Sequence, residues 1–161
     1  RETYPEVVKL WYAQERAAIL SVKNPGRIFT EGPIKWKVQG NFLYCRLPSG
    51  RCLAYPDPAI KVIKTKWDTD KESLTFMAVN TITKQWDREH TYGGKLVENI
   101  VQATARDLMA NGMLNTEKAG YKSVMTVHDE VISEVPEGFG SVEEFEKLLS
   151  KRIVFVAHSV V

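Results

Sequence analysis

Cysteine is scarce in this chain, which has only Cys45 and Cys52, both in the stretch CRLPSGRC. No histidine stands near them at ligand spacing, so a zinc site is excluded, and the two thiols read as reduced side chains on a strand pair. Histidine is scarce too, and His158, in VFVAHSVV, has no acid or thiol near it in sequence and reads as structural. Long apolar runs are missing. No stretch reaches the roughly 18 apolar residues that a membrane helix needs, and the first residues lack the charged-then-apolar pattern of a secretory signal. The cytoplasm is therefore the expected location. Internal repeats and low-complexity segments are also absent. GGKL at 93–96 is not a phosphate-binding loop, because Glu89 stands where the first glycine belongs and Leu96 cannot ligand Mg²⁺.

What is present is the composition of a globular domain, 43% hydrophobic and 26% charged over 161 residues, enough to bury one core. The net charge of +2 hides an asymmetry. Residues 1–95 hold 16 Lys and Arg against 10 Asp and Glu, whereas residues 96–161 hold 6 against 10. A basic portion beside an acidic one suits a protein that grips a polyanion with one part and holds cations with the other, although many unrelated domains share such an imbalance.

Residues 4–22 place Val7, Val8, Leu10, Trp11, Ala18 and Ile19 near one face of a helical period, with Pro5 in the first turn. Lys23 to Asn41 contains the breakers PG, EGP and QGN and reads as loop with one short strand over 34–38. FLYCRLPSGRCLAY reads as a hairpin around Pro48-Ser49-Gly50, and IKVIKTKW with LTFMAV as a second hairpin around DTDKES. A helix follows from Tyr92 to about Asn111, ended by Gly112, with Leu96, Val97, Ile100, Val101, Ala105 and Leu108 as its apolar side. SVEE opens a last helix, with Ser141 as N-cap and Glu144 three residues on. The expected fold class is α+β: an antiparallel sheet around the hairpin of residues 123–135, packed against the long helix, plus an N-terminal helix and β-hairpins.

Two constellations carry chemistry. The run SVMTVHDEVISEV (123–135) is built of β-branched strand formers yet holds His128, Asp129 and Glu130 at its turn. A turn takes Asp for structural reasons, which explains Asp129 alone; an acid cluster that holds metal would explain the tripeptide. On the long helix, Lys95, Asn99, Gln102 and Arg106 fall at i, i+4, i+7 and i+11, one stripe opposite the apolar side. A solvated face is one reading. The other is a minor-groove contact, since amides beside bases can donate to the purine N3 and pyrimidine O2 acceptors while the cations touch phosphate.

These residues resemble a family. VHDE between two short strands looks like motif C of family A DNA polymerases, and TYGGKLVENIVQATARDLM resembles the palm helix before that motif, particularly in bacteriophage-type members. YPEVVKLWYAQERAAI resembles a helix of the fingers, and LPSGRCLAYPDP the hairpin after it. The similarity runs over about residues 3–150, in the family's order. It implies a C-terminal piece of such a polymerase, from a phage or prophage: residues 1–91 partial fingers, 92–150 a palm portion and 151–161 an atypical tail. It implies that Asp129 helps hold the two Mg²⁺ or Mn²⁺ ions of nucleotidyl transfer with Glu130 as auxiliary, and that His128 lies near the primer terminus. It also implies that Gln102, with Lys95 and Asn99, contacts primer–template DNA, and that dNTP is the substrate of the complete enzyme.

Only part of that machinery is here. The family's other metal carboxylate comes from an Asp-Tyr/Phe-Ser motif with no counterpart in this chain, where Asp57, Asp68, Asp70 and Asp87 fall in polar loops or at strand ends. Lys84 with Tyr92-Gly93 reproduces the spacing of the nucleotide-binding helix, but the intervening QWDREHT is too polar to stack on a nucleotide. The isolated chain is thus expected to be inactive, with a companion polymerase fragment as a possible partner. The valine-rich run after about Lys151 departs from the family and suggests a frameshift or truncated prophage gene. Uncovered apolar palm surface would favour dimerisation. The rival readings are a non-catalytic DNA-binding module, helped by Lys61, Lys64 and Lys66, and a degenerate remnant.

Overall fold

The computed structural model of the chain describes residues 4–64 and 69–151. The expected α+β class is what forms, with every described strand pair antiparallel. The chain divides into two compact units, Arg1–Val101 and Gln102–Val161.

In the first unit, α1 (Pro5–Lys23) starts on a proline whose missing N–H costs nothing there, and it carries Glu6 in its first turn and Lys23 in its last, matching the helix dipole. It lies against a four-stranded sheet in sequential order: β1 (Ile28–Glu31), β2 (Ile34–Gln39), β3 (Phe42–Arg46) and β4 (Cys52–Pro56). Alternation along β2 and β3 buries Ile34, Trp36, Val38, Leu43 and Cys45 on one face. The helix meets that face with Gln14, Ala17, Ala18 and Ser21, and not with the expected Val7 and Leu10, which stay exposed. Small side chains let the helix approach closely. Gln14 is tolerated because its Oε1 accepts from Trp36 Nε1 at 2.8 Å and its Nε2 donates to the Glu31 carbonyl at 3.2 Å.

The segment expected to be mostly loop contains two strands. Gly32 and Gly40, at φ 58° and 56°, each open a two-residue hairpin loop, so the breakers EGP and QGN are turns between strands. A second sheet follows, β5 (Ala59–Lys64), β6 (Asp70–Val79) and β7 (Trp86–Thr91). Its first turn is shorter than DTDKES suggests. β6 is already paired at Asp70, where Lys64 faces Asp70 across the strands, and Lys71 and Glu72 form ion pairs with Glu15 and Lys23 of α1. Residues 65–68, including Lys66 and Asp68, lie outside the described residues. β7 was not expected, because WDREHT is polar. As an edge strand it is held by side chains: Arg88 donates to the Asp57 carbonyl at 2.9 Å and pairs with its carboxylate, and Asn80 donates to Glu89 at 2.8 Å.

Helix α2 (Gly93–Lys118) begins in the first unit, and its Gly93 leaves room for Trp11: a Cβ there would stand 2.1 Å from the Trp11 carbonyl oxygen. The helix does not stop at Gly112. That glycine admits the end of α3 (Val142–Leu149), since a Cβ would come within 2.8 Å of the Leu149 carbonyl oxygen. The stop is Gly120, left-handed at φ 97°, with Gly120 N–H donating to the Glu117 carbonyl and Tyr121 N–H to the Thr116 carbonyl. These two bonds form a Schellman cap. In the second unit the hairpin β8 (Lys122–Val127) and β9 (Glu130–Glu134) follows, and α3 is capped as expected, Ser141 Oγ accepting from Glu144 N–H at 3.1 Å. Tyr121 ties the unit together: its hydroxyl donates to Glu144 Oε2 at 2.7 Å and accepts from Ser141 N–H at 3.0 Å, and its ring meets Phe139 and Phe145.

Candidate metal and nucleic-acid site

The hairpin forms a two-residue loop. Val127 pairs with Glu130, leaving His128 and Asp129 as the turn and Glu130 as the first residue of β9. His128 has φ 52°. Its position is the one that Gly32 and Gly40 fill in the other two-residue turns, so a side chain stands where glycine is the unstrained choice. Histidine visits this region more readily than most residues, at a cost of about 1–2 kcal/mol. All three residues are exposed at the tip.

A bulge between Ser123 and Met125 shifts the register of β8. It sorts the hairpin into two faces. Ser123, Thr126, Val131 and Ser133 lie on the half-buried side, where Ser123 N–H donates to Glu117 Oε1 of α2 at 2.6 Å. Met125, Val127 and Ile132 lie on the open side with Glu130 and are 53%, 40% and 40% exposed. The strands are therefore not the two buried strands that their β-branched composition suggests.

The carboxylates at the tip are hard oxygen donors of the kind Mg²⁺ and Mn²⁺ take. Asp129 and Glu130 come from one hairpin, and among the described residues no group of three or more His, Cys, Asp or Glu could hold a metal ion. Asp57 pairs with Arg88, and Asp87 Oδ1 accepts from Arg88 N–H at 2.6 Å. The donor set at the tip fits one side of a divalent-metal centre and needs further ligands from elsewhere.

The α2 stripe has unequal members. Gln102 and Arg106 are exposed, and Arg106 reaches the Met109 sulfur at 3.1 Å. Lys95 is exposed and pairs with Glu98 at 3.2 Å. Asn99 is half-buried, its Nδ2 donating to the Tyr55 hydroxyl at 3.3 Å, so it also anchors α2 on β4. Burial pushes the Tyr55 hydroxyl up to about 12, against the pull of the Asn99 bond. The expected apolar side divides likewise: Leu96, Val97 and Ile100 are buried, whereas Val101 and Leu108 are exposed. Lys84 lies between β6 and β7 with φ 58°, not on a helix, which agrees with its exclusion as a nucleotide-binding lysine. His158 lies outside the described residues. Sequence reasoning missed Tyr55 as a partner of the stripe; its signal is slight, a strand tyrosine 44 residues away from Asn99.

Among the described residues no helix is long and apolar enough to cross a membrane. No family model matches the chain, and no solved structure matches it. The chain is 39% identical over 153 residues to a DNA polymerase of Bacillus phage SP02, a match covering 95% of this chain and 23% of that protein. The chain thus spans less than a quarter of the length of the relative it matches.

Proposed function

We propose that the chain is a segment of a DNA polymerase of the family A, bacteriophage type. In this reading it supplies the duplex-gripping helix and one carboxylate side of the metal centre for nucleotidyl transfer onto a primer 3′ end. The observation that carries the reading is the extent of the match: 153 of 161 residues align with the phage polymerase, so the similarity takes in α2 and the acidic hairpin together. Asp129 is the metal ligand, Glu130 its auxiliary, and His128 stands at the primer end. In the complete enzyme two Mg²⁺ or Mn²⁺ ions would activate the attacking hydroxyl and stabilise the leaving pyrophosphate. The open apolar face of Met125, Val127 and Ile132 suits packing against the rest of a larger polymerase, which would bring the second carboxylate and the dNTP site. Residues 1–91 then belong to the fingers and 92–150 to the palm. Alone, the chain incorporates no nucleotide.

Gln102 and Arg106, with Lys95 and the second amide N–H of Asn99, hold the primer–template duplex. The minor-groove acceptors occur in every base pair, so this grip is indifferent to sequence. Fluorescence anisotropy with a blunt duplex tests it. Affinity should fall steeply as salt rises, by a log–log slope of about 0.9 for each phosphate contacted. Gln102→Ala should weaken AT-rich and GC-rich duplexes alike. No duplex binding, or binding indifferent to salt, would contradict the assignment.

A further inference from the structure

Asn99 is the member of the α2 stripe whose side chain is held by the core. Its Nδ2 donates to the Tyr55 hydroxyl at 3.3 Å, while Gln102 and Arg106 stand exposed. Tyr55 itself has little freedom. It is 5% exposed, and its ring lies 4.9 Å from that of Phe76 in an edge contact and 6.1 Å from that of Trp36. The Trp36 indole donates in turn to buried Gln14 at 2.8 Å. A run of fixed side chains therefore leads from beneath α1 to one amide on the helix proposed to grip DNA.

Stability alone gives no reason for the pair of Tyr55 and Asn99. Replacing both partners of a buried hydrogen bond by apolar groups of similar shape is close to neutral or stabilising, so Phe at 55 and Leu at 99 would serve the packing as well. Asn is also a weaker helix former than Leu. What the polar pair adds is orientation. An amide is planar and carries two N–H groups, so fixing one on Tyr55 also restricts the direction of the other. Asn99 is half-buried, which leaves that second N–H on the stripe. Exposed Gln102 must lose side-chain rotamers when it meets a ligand, whereas Asn99 has lost most of them on folding.

We propose that Tyr55 is a positioning residue for duplex binding: its hydroxyl holds the Asn99 amide so that the second N–H meets a minor-groove acceptor without further ordering. Tyr55 touches no nucleotide and acts only through Asn99. This inference rests on the duplex grip proposed above and names a residue that sets its strength.

The experiment is a double-mutant cycle in duplex affinity, read by fluorescence anisotropy of the whole chain with a blunt duplex, well below the thermal midpoint of every variant. Tyr55→Phe keeps the ring and removes the hydroxyl. It should weaken binding by about two- to tenfold, the worth of one hydrogen bond. Its salt slope should equal that of the wild type, since no phosphate contact is lost. Asn99→Ala should weaken binding at least as much, and the double variant should bind like Asn99→Ala alone. Tyr55→Phe combined with Gln102→Ala should instead multiply the two losses. Asn99→Gln keeps the amide on a longer, untethered arm and should also bind less tightly than wild type; it decides the matter should circular dichroism show Tyr55→Phe misfolded. A purely structural Tyr55 would lower the thermal midpoint on substitution and leave affinity unchanged. Wild-type affinity in folded Tyr55→Phe or in Asn99→Gln, or a Tyr55→Phe loss that persists in full in the Asn99→Ala background, would overturn the inference and leave the duplex grip standing. No duplex binding by the wild-type chain would overturn both.

Discussion

His128 occupies a backbone position that the same chain fills with glycine in its other two-residue turns, Gly32 and Gly40. The three loops share one geometry, with a left-handed first residue, so the difference isolates the cost of a side chain there. His128→Gly should relieve that strain, less the entropy glycine loses on folding, for a net gain of about 1 kcal/mol. Differential scanning calorimetry should show the midpoint rise by about 2–4 °C. An unchanged or lowered midpoint would mean that the imidazole contributes contacts that outweigh the strain. Such strain gathers at functional sites, which favours a working His128 over a decorative one. The tripeptide His128-Asp129-Glu130 was legible as a hairpin tip from its β-branched flanks. Its strain was not, because only φ reveals it.

At the scale of elements, β3 and β4 bury two groups that resist ionisation. Burial raises the Cys45 thiol from 9.0 to about 12, helped by Cys52, and the Tyr55 hydroxyl from 10.0 to about 12. The folded chain keeps these protons at pH values where the unfolded chain has lost them, so stability falls as pH rises. The contribution is complete below about pH 9 and is lost as pH climbs through about 12. Thermal midpoints across that range should decline, and Tyr55→Phe should flatten the decline between about pH 10 and 12. An identical profile in Tyr55→Phe would contradict the assignment. Elements with a clear period were legible: α1, the β3–β4 hairpin and α3 form where periodicity and capping place them, and α2 begins where expected but runs past Gly112 to Lys118. Three signals misled. Gly-Pro and Gly-Asn were read as loop where they turn β1 into β2 and β2 into β3; polar WDREHT was passed over because its stability comes from Arg88 and Asn80 reaching distant partners. Gly112 looked like a helix stop because a glycine made for close packing against Leu149 reads the same in sequence as one made for a cap.

At the scale of the whole molecule, the second unit leaves several large apolar side chains exposed. Leu108, Leu114, Val124, Met125 and Ile132 of the second unit are each at least 40% exposed. Patches of this kind mark surfaces that partners cover. Together with a match to less than a quarter of a phage polymerase, they fit the proposed segment of a larger enzyme whose other metal carboxylate lies elsewhere. Sequence showed the charge asymmetry and the acidic tip, but exposure depends on which faces the register turns outward, and the bulge in β8 set that. The central claim is that this chain does in a polymerase what the aligned quarter of its relative does. The most direct test is a graft: residues 4–151 replacing the aligned segment of the Bacillus phage SP02 polymerase, assayed by primer extension with Mg²⁺. The proposed function predicts template-directed extension by the folded graft, falling roughly 100-fold or more in Asp129→Asn. A folded graft that extends no primer, or an Asp129→Asn graft as active as its parent, would contradict it.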